Sequence, residues 1–396
     1  MAVGGENLPR TIGVDPGPGY AAPPLPPPAP RQPLPPPTLT SRGPIASLDG
    51  LRALAVLIVV VSHAGYGNTI PGGLGVTIFF FLSGFLITTL ILDEHERHGR
   101  ISIKQFYQRR AFRLLPPLLV TLAIAYLLVG AGLLDGGFTV QGLTSQLFYF
   151  ANYFTIFFAH ANSQPGGSGI LWSLAVEEHF YLVFPVVMLL VFRRFGPHRA
   201  RTVLIRAFVV LCVAALAWRC YLVSQPGFNQ LHTYYSTDTR FDSILFGCLL
   251  ALWYNPARLP LQVRDTKMRA KDWLLCAAGL ALLLATIVYR DVQFRESFRY
   301  TLQGLALVPI FFYAIRFPQA GPFRLLNLRA IARIGVLSYG IYLIHDIFLE
   351  ALATDVHVSM PSWLRFGLAV GVSVVFATIL DRYIDPYFRR KRAALH

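Results

Sequence analysis

The sequence is poor in charged residues. Asp, Glu, Lys and Arg make up 14% of its 396 residues, whereas soluble globular domains carry about 25%. Hydrophobic residues account for 54%, and the mean hydropathy is +0.51. This composition argues against a soluble fold, and also against a disordered or collagen-like chain.

Cysteine is also scarce, and the four cysteines lie in apolar segments without any C-x-x-C pair. They are predicted to be buried thiols, neither zinc ligands nor a disulfide framework. The sequence has no Walker A loop, no G-x-S-x-G turn, and no pair of histidines at metal-binding spacing within an apolar segment. These absences count against ATP-driven transport, and we expect no bound metal.

Proline is concentrated at the start of the chain, where residues 1–46 hold half of the 28 prolines. Because proline lacks a backbone N–H and fixes φ, this stretch is predicted to be a disordered cytoplasmic tail. It contains no apolar core of a secretory signal peptide. We expect three parts: this tail, an integral-membrane domain over 47–388, and a basic cytoplasmic tail over 389–396.

Long apolar segments dominate the rest of the chain, and a membrane-spanning helix needs about 20 mostly apolar residues. The sequence therefore predicts an all-α, polytopic membrane bundle. The predicted spans are 48–66, 75–92, 111–133, 171–193, 202–224, 239–254, 272–289, 299–316, 333–353 and 363–385. One further apolar segment, 141–160, is interrupted by polar residues.

Basic residues decide whether 141–160 crosses, because they concentrate in cytoplasmic loops. If it does not cross, both termini and four loops on one side carry 27 of the 35 Lys and Arg residues, and the opposite loops carry only Arg290 and Arg295. We therefore predict ten spans in a bacterial cytoplasmic membrane, both termini in the cytoplasm, and 141–160 as a re-entrant or outer-face helix. The net charge of +15 then reflects attraction to anionic lipid headgroups and requires no nucleic acid.

Charged side chains inside the predicted spans are the first candidates for function. Each costs about 2.5–3.5 kcal/mol at the centre of a membrane helix, so it should face a cavity or a partner. The clearest are Arg52, His63, Glu177, Glu178, Arg219, Asp242 and His345.

Arg52 and His63 are eleven residues apart, which places them on one face of a helix about 16 Å apart along its axis. Two interpretations remain open. Arg52 could reach the headgroups while His63 bonds a neighbouring helix. Alternatively, the two residues line a polar slot that opens between arginines at the cytoplasmic face and ends at His63 as a titratable base.

Glu177 and Glu178 are adjacent, so their side chains point about 100° apart and cannot act together on one atom. One is expected to orient a histidine or bond the acceptor, and the other to pair with Arg219 or Arg240; a purely structural ion pair is the alternative. Asp242 is expected to form an ion-pair clamp.

Arg109, Arg110 and Arg113 lie at the start of the third span. They either anchor that helix at the cytoplasmic face or bind phosphate, which guanidinium groups bind bidentately.

Six segments, in order, resemble motifs of the acyltransferase-3 family of integral-membrane O-acyltransferases. They are SLDGLRALAVLIVVVSHAG, FFFLSGFLIT, FYQRRAFRLLPP, LWSLAVEEHFYLVFP, RFDSILFGCLLA and SYGIYLIHDIF. The resemblance covers about residues 45–385. One departure is His179, where glutamine is common in the family.

The resemblance implies transfer of an acyl group, most often acetyl, from acyl-CoA to a hydroxyl of a cell-surface or exported glycan, with no bound cofactor. His63 would be the general base, and Glu177 or Glu178 would orient it. The residues expected to bind donor and acceptor are Arg52, Arg109, Arg110, Arg113, Trp172, Ser173, Arg240, Asp242, Ser338, Tyr342 and His345.

The sequence is also compatible with two other functions. The same chemistry could act on a macrolide or another secondary metabolite. A proton-coupled transporter or flippase could use His63 and Glu177 as a proton relay, although the sequence shows no inverted repeat of the kind that many transporters have.

Overall fold

The computed structural model describes residues 46–160, 162–258, 267–355 and 360–394, and these residues form helices joined by turns and short loops. No β-strand occurs within them. The predicted all-α class is therefore confirmed for this part of the chain. The predicted tail over 1–46 lies outside the described residues, apart from Ala46.

The α-helices are numbered here in chain order. They are α1 (Ala46–Val61), α2 (Gly72–His98), α3 (Ile103–Gly130), α4 (Val140–Leu147), α5 (Ala151–Phe157), α6 (Leu171–Ser224), α7 (Gln230–Tyr235), α8 (Thr237–Trp253), α9 (Ala270–Val288), α10 (Val292–Ser297), α11 (Arg299–Arg316), α12 (Phe323–Leu326), α13 (Arg329–Asp355), α14 (Ser362–Ile379) and α15 (Asp385–Ala393). Two π-helical turns, Ser62–Tyr66 and Leu380–Ile384, continue α1 and α14.

Seven helical segments of the described chain are long and apolar enough to cross a membrane, which makes this a multi-pass membrane protein. They contain α1, α2, α3, α6, α9, α13 and α14. The predicted number of ten spans is not confirmed. Two of the predicted spans correspond to α8 and α11, which are not among these seven segments. The first has 17 residues, about 26 Å of helix against a hydrocarbon core of about 30 Å, and the second has an arginine at each end.

The remaining difference between the ten predicted spans and the seven segments lies in α6. This single 54-residue helix contains two of the predicted spans, 171–193 and 202–224. Its backbone leaves the helical region at Gly196, where φ is 68° and ψ is 167°, and Pro197 follows. Glycine adopts this φ readily, whereas most other residues do not. The two apolar halves of α6 are therefore separated at the position where the sequence predicts a basic loop.

Residues 141–160, which the sequence excludes from the spans, form the two short helices α4 and α5. These contain eight and seven residues, or about 12 Å and 10 Å of helix. Neither helix is long enough to cross a bilayer.

The buried helix α2 lies at the centre of the bundle and packs against α1 and α8. Its contact with α8 depends on glycine: a Cβ atom on Gly84 would lie 1.9 Å from the Ile244 carbonyl oxygen, and one on Gly247 would lie 1.9 Å from that of Phe81. Small residues of this kind allow membrane helices to approach closely. Helix α1 also packs against α13, so two segments that are far apart in the chain come together.

Candidate active site

His63 lies where α1 gives way to the π-helical turn Ser62–Tyr66. The turn includes Gly65, whose φ of 113° is strained for residues other than glycine. Ser62 Oγ accepts a hydrogen bond of 3.0 Å from the Gly72 N–H, which ties the turn to the start of α2. Because the turn departs from α-helical geometry, α-helical spacing from Arg52 does not set the direction of the His63 side chain.

The side chain of His63 contacts two consecutive residues of α13. Its Nδ1 lies 2.9 Å from Asp346 Oδ1 and 3.1 Å from His345 Nε2. The two imidazole rings stack with centroids 5.1 Å apart. His345 is fully buried, whereas the His63 side chain retains 32% of its exposure. A second molecule can therefore reach His63 but not His345.

These contacts determine which nitrogen of His63 is available as a base. The Tyr342 carbonyl oxygen accepts a hydrogen bond of 2.7 Å from His345 Nδ1, so this nitrogen carries a proton. In the neutral ring His345 Nε2 is then an acceptor. His63 Nδ1 must carry a proton to donate to this nitrogen and to Asp346, which leaves the lone pair of the neutral His63 ring on Nε2.

The two glutamates lie elsewhere, which corrects the prediction that one of them orients His63. Glu178 forms a salt bridge of 3.5 Å with Arg110, and Glu177 accepts a hydrogen bond from the Tyr181 hydroxyl. The Arg110 guanidinium also stacks on the Tyr181 ring, 3.3 Å from its centroid. The predicted ion pair of a glutamate with Arg219 or Arg240 is therefore wrong, because Glu178 pairs with Arg110 instead.

The predicted basic cluster lines a large cavity, here called the basic cavity, of about 610 Å³. Arg109 is held there by a hydrogen bond of 2.7 Å to Glu94. Within the described part of the chain Arg113 has no salt bridge, and the guanidinium groups of Arg52, Arg110 and Arg392 are close enough to repel it. A positive cluster of this kind is suited to a phosphorylated ligand.

A second cavity of about 300 Å³, here called the deep cavity, adjoins the basic cavity. Both are lined by Arg52, Ile87, Leu90, Arg110, Arg113 and Tyr339. The deep cavity also contains both glutamates and three of the predicted substrate-binding residues, Ser173, Ser338 and Tyr342. The two adjoining cavities thus connect the arginines with these residues.

His63 does not line either of these cavities, which departs from the predicted continuous slot. Tyr342 lines the deep cavity, and its ring lies 5.6 Å from that of His345, which contacts His63. The Tyr342 hydroxyl is 2.7 Å from Ser173 Oγ and donates a hydrogen bond of 3.1 Å to the Ile170 carbonyl oxygen. Tyr342 and His345 therefore separate the deep cavity from His63.

Three predicted substrate-binding residues, Trp172, Arg240 and Asp242, are buried in the protein and line neither cavity. The Arg240 guanidinium lies 3.9 Å from the Tyr300 ring centroid and 5.3 Å from that of Trp172. Asp242 accepts a hydrogen bond of 2.7 Å from Arg219, so it forms an ion-pair clamp with this residue. We therefore assign this cluster a structural role.

The Arg219–Asp242 pair has a measurable consequence for stability. Both side chains are fully buried, so Arg219→Met leaves an uncompensated carboxylate and should destabilise the protein by about 3–5 kcal/mol. Thermal unfolding of the purified protein in detergent tests this expectation. The matched control is Arg333→Met, which removes an exposed ion pair with Asp381 and should cost less than about 1 kcal/mol. Equal melting temperatures for the two variants would contradict the assigned role.

The ligating atoms of His63, His345 and Asp346 lie within 4.8 Å of one another, close enough for one metal ion. The sequence predicts no metal here, because the two histidines come from segments that are far apart in the chain. In the structure their polar atoms bond to one another. This arrangement suits a hydrogen-bonded histidine base as well as a metal ligand set.

Sequence reasoning missed two contributions to these sites. Asp346 is a carboxylate within a predicted span and next to His345, so the rule that singled out the other charged residues applied to it as well. Arg389 and Arg392, on α15, line the basic cavity, although the sequence assigns them to a cytoplasmic tail. A run of basic residues after the last span gives no indication that it folds back over a cavity.

A sequence model described as an acyltransferase domain, Acyl_transf_3, matches residues 45–382. The chain therefore belongs to the acyltransferase-3 family, and the resemblance seen in its six motifs is confirmed. No solved structure matches the chain with significance.

Several curated bacterial proteins are similar over most of the chain. Peptidoglycan O-acetyltransferase OatA of Listeria monocytogenes is 31% identical over 89% of this chain and 57% of its own length. Putative peptidoglycan O-acetyltransferase YrhL of Bacillus subtilis is 32% identical over 87% and 55%. O-acetyltransferase OatA of Staphylococcus aureus is 27% identical over 88% and 57%. The chain thus spans little more than half the length of these relatives.

Proposed function

We propose that this protein is a membrane O-acetyltransferase that moves an acetyl group from acetyl-CoA to a hydroxyl of a cell-wall glycan. The observation that carries the proposal is the His63–Asp346 pair, close to a deep cavity that leads to a cluster of arginines. The family supports acyl transfer, and the names of the relatives favour an acetyl group and a peptidoglycan acceptor over a secondary metabolite.

In this proposal the basic cavity binds the phosphates of the donor. Arg113 has no salt bridge within the described chain and is the strongest candidate, with Arg110 and Arg52 beside it. Because CoA is a cytosolic donor, this cavity would open toward the cytoplasm. The distribution of basic residues among the loops predicts the same side for the arginine cluster. The arm of the donor would extend through the deep cavity toward Ser173 and Tyr342.

His63 would act as a general base through Nε2. This nitrogen takes the proton from the acceptor hydroxyl while the hydroxyl oxygen attacks the thioester carbonyl carbon. Asp346 holds the ring and stabilises the imidazolium that forms. The new C–O bond replaces the C–S bond, the CoA thiolate leaves, and the imidazolium returns its proton to the sulfur. The side chains of Tyr342 and His345 must move for the thioester to meet the acceptor at His63.

The reaction can be tested with purified protein in nanodiscs, acetyl-CoA and soluble peptidoglycan fragments. Release of free CoA thiol, together with an added acetyl mass on the fragment, is the expected result. A proton-coupled transporter would release no CoA under these conditions. Release of CoA without acetylated fragment would indicate a different acceptor.

The phosphate role predicts a specific kinetic defect for Arg113→Gln. Loss of one charge-assisted hydrogen bond, worth about 1.5–3 kcal/mol, should raise the KM for acetyl-CoA about 10- to 100-fold with little change in kcat. Steady-state kinetics with varied acetyl-CoA measure this effect. Arg290→Gln, in the loop between α9 and α10, is the matched control and should leave KM unchanged. An unchanged KM for Arg113→Gln would remove this residue from the donor site.

A further inference from the structure

The polar atoms of His63, His345 and Asp346 converge with only one hydrogen among them. His345 Nδ1 donates to the Tyr342 carbonyl oxygen, so its Nε2 has a free lone pair in the neutral ring. Asp346 Oδ1 is also an acceptor, and both atoms lie within 3.1 Å of His63 Nδ1. One N–H on His63 cannot point at two acceptors with good geometry. A metal cation, which binds all three lone pairs at once, would satisfy this group more fully.

The spacing of these atoms suits a tetrahedral metal ion. Zinc binds histidine nitrogen and carboxylate oxygen at about 2.0–2.2 Å, so two ligand atoms of a tetrahedral zinc site lie about 3.3–3.5 Å apart. His63 Nδ1 is 2.9 Å from Asp346 Oδ1 and 3.1 Å from His345 Nε2, and all three atoms lie within 4.8 Å of one another. Small side-chain shifts would therefore produce a ligand set of two histidines and one carboxylate, which is a set that zinc uses.

His345 is already held in the way that metal-bound histidines usually are. Such histidines donate their other ring N–H to a carbonyl or a carboxylate, which fixes the tautomer and the orientation of the ring. The bond of 2.7 Å from His345 Nδ1 to the Tyr342 carbonyl oxygen has this form. The side chains of His63 and Asp346 keep 32% and 19% of their exposure, so an ion can reach the group from the protein surface.

The charges around the group favour a cation. Glu350 lies one helical turn after Asp346 on α13 and is close to both Asp346 and His63. Asp135 approaches Glu350 in turn, and Arg365 is the cation beside it. Three carboxylates against one guanidinium give this surface a negative balance, which attracts divalent cations.

We propose that His63, His345 and Asp346 form an inhibitory Zn²⁺ site, with Nδ1, Nε2 and Oδ1 as the ligand atoms. The inference rests on the proposed function of His63 and adds its regulation. When Zn²⁺ takes the lone pair of His63 Nδ1, the proton of the neutral ring lies on Nε2 instead, with no net proton released. The nitrogen that would accept the proton of the acceptor hydroxyl is then blocked. The ion also fixes His345, which must move for the thioester to reach His63.

Binding is measured by titration calorimetry with ZnCl₂ on the purified full-length protein, after removal of its affinity tag. We expect one strongly bound Zn²⁺ per chain and little binding of Mg²⁺ or Ca²⁺, which prefer oxygen ligands. His345→Gln and Asp346→Asn should each weaken Zn²⁺ binding at least about tenfold, which corresponds to about 1.4 kcal/mol. Melting temperatures check the fold, and the partly exposed Asp346 provides the second variant in case His345→Gln does not fold.

His232→Asn is the matched control. His232 also pairs with an aspartate, with Nε2 3.3 Å from Asp238 Oδ2, but it belongs to no group of three ligating side chains in the described chain. This variant should bind Zn²⁺ as the wild type does.

The inhibitory role is tested by transfer of labelled acetyl. Zn²⁺ should lower kcat of the wild type at concentrations that fill the site, and EDTA should restore it. Binding of CoA should not change, because His63 lines neither cavity. An active wild type that binds no Zn²⁺, or that binds it equally well after both substitutions, would overturn the inference alone, and stimulation by Zn²⁺ would overturn the inhibitory role. A wild type that binds Zn²⁺ through these residues but transfers no acetyl would overturn the proposed function and confirm the metal site.

Discussion

The substitution His63→Ala should lower kcat for acetyl transfer by about 10²–10⁴-fold, the range that general base catalysis contributes. The alanine removes the only side chain of the described site that has both a free basic nitrogen and an exposed surface, since His345 is fully buried. Binding of CoA should change little, because His63 lines neither cavity. Single-turnover transfer from labelled acetyl-CoA, measured beside CoA binding, checks both expectations.

The matched control for this experiment is His198→Ala. His198 is exposed next to the break in α6 at Gly196, far along the chain from the site. This variant should retain full activity and stability. Transfer by His63→Ala at more than about a tenth of the wild-type rate would exclude His63 as the base.

The second large effect is expected for Asp346→Asn. An asparagine keeps the size of the side chain but loses the charge that stabilises the His63 imidazolium, and its amide can donate to Nδ1 and so favour the wrong tautomer. We expect kcat to fall by at least about 10²-fold while the KM for acetyl-CoA stays constant. A purely structural role would instead appear as a lower melting temperature with proportionate loss of active protein.

Asp346→Glu separates these explanations, because it restores the negative charge with a longer side chain. Partial recovery of kcat relative to Asp346→Asn is expected. If the asparagine and glutamate variants were equally impaired in kcat and equally destabilised, the assignment of Asp346 to His63 would be wrong.

Much of the fold could be predicted from local sequence properties. Apolar length identified the membrane-spanning helices, and the distribution of basic residues excluded 141–160, a segment that forms only short helices. The number of spans could not be predicted in the same way, because α8 and α11 are near the limits of length and apolarity, and because Gly196 interrupts α6 without ending it.

The candidate site was predictable in its residue types but not in its pairings. The cost of placing a charge in a membrane identified Arg52, His63, Glu178 and His345 as candidates. Their partners depend on contacts between helices, and His63 and His345 are 282 residues apart in the chain. No periodicity within one helix reports such a contact, so the pairing of His63 with His345 and Asp346 could not be predicted, although the rule on charged residues in spans applies to Asp346 itself.

The position of α15 has a practical consequence for work on this protein. Arg389 and Arg392 line the basic cavity from this helix, held by hydrogen bonds to Asp385 of 2.7 Å and 2.9 Å. An affinity tag or fluorescent reporter fused directly after α15 would therefore emerge beside the proposed entrance for the donor. Preparations intended for ligand titration should carry the tag at the opposite terminus, or have it removed by a protease before use.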